Sequence, residues 1–209
     1  MRLKAAWILP ALMALASPAM AIPFDVTIGA TVTATGAIGN STNGAWADPA
    51  PAALSTITDG LYVPEGTNWQ EGTVWWNENP DAAGAPSPAL NNIIEIDLNG
   101  LFLINFLSVQ ADNNDFYGIS VRDQFGVWNG LTNALPFGGP GMRERSGFFV
   151  PFLATGFRVD AFNSDGFGDG YYSLSEFRAV GERVPEPASL LLFGTSAVGL
   201  LLARRRRQR

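Results

Sequence analysis

Between Ile22 and Val184 no stretch keeps a long 3.6-residue apolar period, whereas short strand-like runs recur throughout. They fall at 73–76, 92–98, 102–110, 117–122, 147–152, 156–162 and 171–180, separated by clusters of glycine, proline and Asx residues. Alternation of apolar and polar side chains places alternate residues on opposite faces of a half-buried strand. An earlier segment, 24–38, also alternates, with Phe24, Val26, Ile28 and Val32 on one face and threonines on the other. Residues 50–56 are the only short helix candidate, and 36–51, 79–90 and 129–142 read as loops. Many short strands with turn signals and almost no helix predict an all-β, antiparallel sandwich. Its long loops would gather at the ends of the sandwich and carry function.

Composition removes much chemistry from this region. The chain has no cysteine and no histidine. No disulfide can form, so the fold must rest on packing, and the usual general base, zinc ligand and Ser-His or Cys-His pairs are missing. Lys4 is the only lysine, which excludes a lysine nucleophile from the middle of the chain. Residues 22–184 hold six arginines against eighteen acids. So acidic a surface repels nucleic acid and anionic headgroups and suits cation binding.

The flanks have a different composition. Arg2 and Lys4 precede an apolar stretch, 5–15, and the small-x-small step Ala19-Met20-Ala21, the pattern of a secretory signal peptide over 1–21. At the other flank, Val184-Pro185-Glu186-Pro187 leads into an uncharged run, 188–203, and then Arg204, Arg205, Arg206 and Arg207. That run makes roughly 24 Å of helix, short for a roughly 30 Å hydrocarbon core but workable with snorkelling arginines and local thinning. Cations at both flanks predict that both stay cytosolic while 22–184 is exported. The three-part pattern at 185–209 resembles the PEP-CTERM sorting signal. That resemblance implies a transmembrane helix at 188–203, recognition by a membrane-embedded exosortase partner at the inner membrane, and cutting near Pro185-Glu186-Pro187. It also implies delivery to the cell surface or to an extracellular polysaccharide matrix.

Within the exported region a second resemblance spans 54–181. Ile57-Thr58-Asp59-Gly60 is followed by Thr73-Val74-Trp75, Ile94-Glu95-Ile96-Asp97-Leu98, a hairpin ending in Gly126-Val127-Trp128, and Ser175-Glu176-Phe177. This order is similar to the galactose-binding-like, discoidin-type jelly rolls, which include many carbohydrate-binding modules. The hairpin departs from that pattern with Gln124-Phe125-Gly126, and twelve residues separate Gly60 from Thr73. The resemblance implies a structural calcium ion held by Asp59 and Glu176, and Ca²⁺ takes six to eight oxygens of the kind an acidic chain offers. Otherwise Asp59 would serve only an Asx turn and Glu176 would be a solvated strand residue. The segment 163–170 has the wrong spacing for an EF-hand and reads as a glycine-rich hairpin tip.

Aromatic rings stack on the apolar faces of sugars. Five tryptophans fall in the exported region: Trp46, Trp69, Trp75, Trp76 and Trp128. Trp75 and Trp128 match core positions of the jelly-roll family. Trp75 and Trp76 must point to opposite faces, so one should be buried and the other less so. Trp69, between Asn68 and Gln70, is the candidate ligand platform, and Arg143 and Arg145, read as part of the glycine-rich loop, are candidate donors to sugar hydroxyls. No catalytic residue is assigned. The reading is a non-catalytic surface protein binding extracellular polysaccharide. The alternatives are a purely structural, self-associating protein, or a glycosidase with two carboxyls about 5 to 9 Å apart.

Overall fold

The computed structural model describes residues 22–36, 38–39, 50–77, 93–164 and 171–185. The signal peptide, the loop 79–90, the hairpin tip and the sorting segment beyond Pro185 therefore lie outside the described residues, wholly or in most of their length. Eight antiparallel strands follow in chain order: β1 (Phe24–Asp25), β2 (Thr31–Ala34), β3 (Val74–Asn77), β4 (Ile93–Asp112), β5 (Asp115–Arg122), β6 (Trp128–Ala134), β7 (Met142–Ser164) and β8 (Tyr171–Arg183). The fold is all-β, and its layered arrangement comes from two strands long enough to serve both layers. The first half of β4 pairs with β2 and with the second half of β7, which continues to β5 and β6; this is the front layer. The second half of β4 pairs with β8 and with the first half of β7, and β8 carries β1 and β3; this is the back layer.

Four runs expected as separate strands are thus halves of two. At the hinge of β4 the register shifts between Asp97 and Phe102. Asn99 there takes a left-handed φ of 54°, and its N–H donates to Asp97 Oδ1 at 2.8 Å. Asparagine tolerates that conformation, and the bulge bends the strand without ending it. Opposite, Gly156 leaves room for the bend, since a Cβ would stand 2.7 Å from Ile96 O.

The inward alternation of each layer forms one core. Ile94, Ile96, Ile119, Phe157 and Val159 from the front meet Ile104, Leu107, Val109, Phe177 and Ala179 from the back. Phe157 and Phe177 touch across it, ring centroids 5.0 Å apart.

Several expectations need correction. The segment 24–38 is not one strand: Ala30 N–H closes a turn on Thr27 O, Gly29 has φ 75°, and the chain passes there from the back layer to the front. The helix candidate is a 3-10 turn, Leu54–Thr58. The stretch 129–142 is not all loop: its first six residues, 129–134, belong to β6, a largely polar edge strand with Leu131 packed on the core and Ala134 buried. Trp75 and Trp76 do point oppositely, yet both are fully buried. Trp76 packs on Tyr172 in the core, while Trp75 is roofed by Trp69 and Tyr171.

Candidate binding face on the front layer

On the outer face of the front layer, register sets two rows of side chains next to each other. One runs Thr31, Asp97, Gly156, Arg122, Trp128, and the next Thr33, Glu95, Arg158, Ser120, Gly130. Each carboxylate is matched by a guanidinium. Arg122 Nη2 donates to Asp97 Oδ2 at 2.8 Å, and Arg158 Nη2 to Glu95 Oε1 at 2.5 Å. Both guanidiniums stand over the Trp128 ring, Arg158 at 4.3 Å and Arg122 at 5.6 Å from its centroid, so cation–π attraction adds to the ion pairs. Gly156 is required here a second time: a Cβ would crowd Arg122 Nη2 at 3.0 Å.

Burial alone would raise the Asp97 carboxyl, but Arg122 and the Asn99 N–H outweigh it and hold the group below its ordinary value. In the following row, burial raises Asp160, Arg158 opposes the rise and Glu95 adds to it. A small depression of about 130 Å³, open to solvent, lies over this face and is lined by Thr31, Thr33, Glu95, Asp97, Arg122 and Trp128. Trp128 is half-buried on this face and is absent from the core where its family match would put it. The array offers fixed donors and acceptors around a shallow depression, the few placed polar groups that orient a ligand. Sequence reasoning missed it, although Ile94-Glu95-Ile96-Asp97 already shows two acids on the face opposite two isoleucines.

The nominated residues lie elsewhere. Trp69 is half-buried and stacked on Tyr171, centroids 5.1 Å apart, so much of its ring is covered. Arg143 and Arg145 are on β7 and not in a loop. Arg143 pairs with Glu65 at 3.3 Å on the surface. Arg145 donates from Nε to Leu135 O, from Nη1 to Ala111 O and Arg143 O, and from Nη2 to Asp112 O and Asn113 Oδ1. All five of its N–H groups are spent inside the protein, which leaves none for a sugar and makes Arg145 a clamp between β4, β7 and the 135–139 loop.

Asp59 and Glu176 are brought together. The segment 59–67 crosses the outer face of the back layer as a strap. Tyr62 Oη donates to Ser108 Oγ at 2.8 Å, and Gln110 Nε2 donates to Val63 O at 2.8 Å. At its start Asp59 makes the expected Asx turn, accepting from Leu61 N–H at 2.8 Å, and Gly60 N–H donates to Glu176 Oε1 at 3.2 Å. Glu176 is fully buried, not solvated, and its Oε2 has no hydrogen-bond partner among the described residues. Burial, then the charge of Asp59, pushes its carboxyl up to about 8. A buried carboxylate with a free oxygen beside a second acid fits a hard cation, whose remaining oxygens would be carbonyls or water. Among the described residues no three His, Cys, Asp or Glu side chains converge on one point.

Comparison with known proteins decides the flank first. Residues 183–207 match the PEP-CTERM protein-sorting motif. The chain carries a PEP-CTERM sorting signal. That signal marks export to the cell envelope or surface. Among the described residues no helix is long and apolar enough to cross a membrane, and the apolar run 188–203 lies outside them. No curated relative matches the chain in sequence. Its sandwich shares its fold with the family 32 carbohydrate-binding module of C. perfringens NanJ, solved in complex with galactose. The two are 16% identical with a TM-score of 0.51, covering 76% of this chain and 99% of that one. Another Clostridium perfringens module, solved with GalNAc-β-1,3-galactose, is 17% identical at a TM-score of 0.49, covering 75% and 99%. A chitosan-binding module from Paenibacillus sp. IK-5 is 20% identical at 0.47, covering 75% and 98%. The likeness to the NanJ module bears out the jelly-roll resemblance as to fold.

Proposed function

We propose that this PEP-CTERM protein is a non-catalytic module that binds extracellular polysaccharide at the cell surface. A signal peptide over 1–21, cut after Ala21, starts its export. The run 188–203 holds the precursor in the inner membrane until an exosortase cuts near Pro185-Glu186-Pro187. The observation that carries the reading is the front-layer depression, where ion-paired Asp97–Arg122 and Glu95–Arg158 fix hydrogen-bonding groups beside Trp128. Recognition of sugar hydroxyls by such rigid pairs costs little reorganisation, because the guanidiniums are already oriented. The same pairing argues against a glycosidase. A nucleophilic carboxylate must be free to attack, and here each front-layer acid of the two rows is neutralised by an arginine on an open face. The fold likeness to modules solved with galactose and related sugars supports the ligand class.

A calcium ion, if bound, would be held by Glu176 and Asp59 and would supply charge compensation that fixes the strap on the back layer; it would take no part in ligand chemistry. Binding of the mature protein to an array of bacterial and plant polysaccharides tests the main reading. Retention of at least one neutral or amino-sugar polymer is expected. No binding across the array, or turnover of a chromogenic glycoside, would refute it.

A further inference from the structure

The strap leaves half of the back layer's outer face bare, and that half carries an apolar patch bordered by Glu182. Leu103 stands between Leu153 and Glu182, and Phe106 between Phe148 and Val180. The Phe106 and Phe148 rings lie 5.0 Å apart, Phe148 is 86% exposed, and Val150, which alternates onto the same face, is 88% exposed. Here β7 is an edge strand paired only with β4.

The chain leaves the layer at the border of this patch. Val184 N–H donates to Leu101 O at 2.9 Å, one residue past the end of β8 and four beyond Val180. Only Pro185, Glu186 and Pro187 separate Val184 from the apolar run. Fully extended, Val184 to Ala188 spans at most about 14 Å, and the two prolines favour about 3.1 Å per residue. The headgroup layer takes up roughly 5–7 Å of that span, taken from a bilayer of 40–45 Å around a 30 Å core. The end of β8 therefore stands no more than about 10 Å above the headgroups. Phe106 lies roughly 13 Å along the strands from that end. A sandwich leaning over on so short a tether brings this face, and not the front one, to the membrane.

We infer that in the membrane-inserted precursor the apolar face of Leu103, Phe106, Phe148, Val150 and Val180 rests on the outward-facing leaflet of the bilayer. This rests on the reading of 188–203 as a membrane span. The contact is apolar: with six arginines against eighteen acids, the exported region has no net attraction to anionic lipid, so docking should survive high salt. It also holds the front layer outward, with its polar face open to ligand while the Pro-Glu-Pro step lies at the membrane surface.

The absence of cysteine makes each introduced one unique. Full-length precursor carrying Phe148→Cys, Val150→Cys, Phe125→Cys or Thr195→Cys is labelled with an environment-sensitive fluorophore. It is then placed in phosphatidylethanolamine–phosphatidylglycerol vesicles containing lipid-borne quenchers. Phe125, 80% exposed in the turn between β5 and β6, is the reference. Quenching at 148 and 150 should exceed that at 125 several-fold and should not fall as salt is raised. If Thr195→Cys is not quenched, the span itself is absent and the docking falls with it. If 195 is quenched but 148 and 150 match 125, the docking alone is wrong. A label shielded at 150 without lipid quenching means that a second copy or the tail covers the face, and this also overturns the proposal.

Discussion

The two outer faces of the sandwich are built from halves of the same strands, yet they differ in how they treat charge. On the front, Glu95 and Asp97 meet Arg158 and Arg122 in open solvent above a tryptophan. On the back, Glu176 is sealed under the 59–67 strap with its Oε2 unpartnered among the described residues, and beyond the strap lies the apolar patch around Phe106. A strand half that alternates acid with isoleucine and faces arginine makes a polar recognition surface. One that carries Leu103 and Phe106 makes a contact surface. The bend at Asn99 lets one strand serve both.

The largest effect should come from the core that joins the two faces. Phe177→Ala removes the ring packed on Phe157 and should cost about 3–5 kcal/mol in urea unfolding, disturbing both layers together. Arg145→Ala should follow at roughly 3 kcal/mol, because it strands three main-chain carbonyls of β4 and its neighbouring loop: Ala111, Asp112 and Leu135.

Glu176 sharpens the contrast through pH. Its folded-state carboxyl, at about 8, holds a proton more tightly than the ordinary 4.5 of the unfolded chain. Protons thus favour the fold. Stability should be full below 4.5 and fall as pH rises toward 8, by up to about 1.4 kcal/mol per pH unit. Glu176→Gln should flatten that slope in thermal melts. Calcium should flatten it only in the wild type, and an unchanged slope with calcium would remove the cation from the account. The smallest effect belongs to Arg143→Ala, whose exposed pair with Glu65 should be worth under about 0.5 kcal/mol. A cost comparable to that of Arg145 would erase the distinction between the two arginines.

What could be read in advance depended on how local the signal was. The sorting signal is contiguous, so Pro185 to Arg207 could be recognised from their order alone. The strands were legible from alternation, and so was the proximity of Asp59 and Glu176 through family order. The front face was not. Its rows cross five strands, and nothing in the sequence sets Arg122 opposite Trp128 or Arg158 opposite Glu95 until register is known. Arg145 misled for the same reason: next to glycines it looked like a free donor, and three of the four main-chain carbonyls that consume it come from residues ten or more positions away.

The central claim is that ligand is held on the polar front face. It is tested most directly by titrating the mature protein with its host's own extracellular polysaccharide, comparing wild type with a front-face variant, Asp97→Ala with Trp128→Ala, and a back-face variant, Phe148→Ser. The account predicts that the front-face change weakens binding at least tenfold, about 1.4 kcal/mol, while Phe148→Ser binds as wild type does. Equal affinity in all three, or loss only with Phe148→Ser, would contradict it.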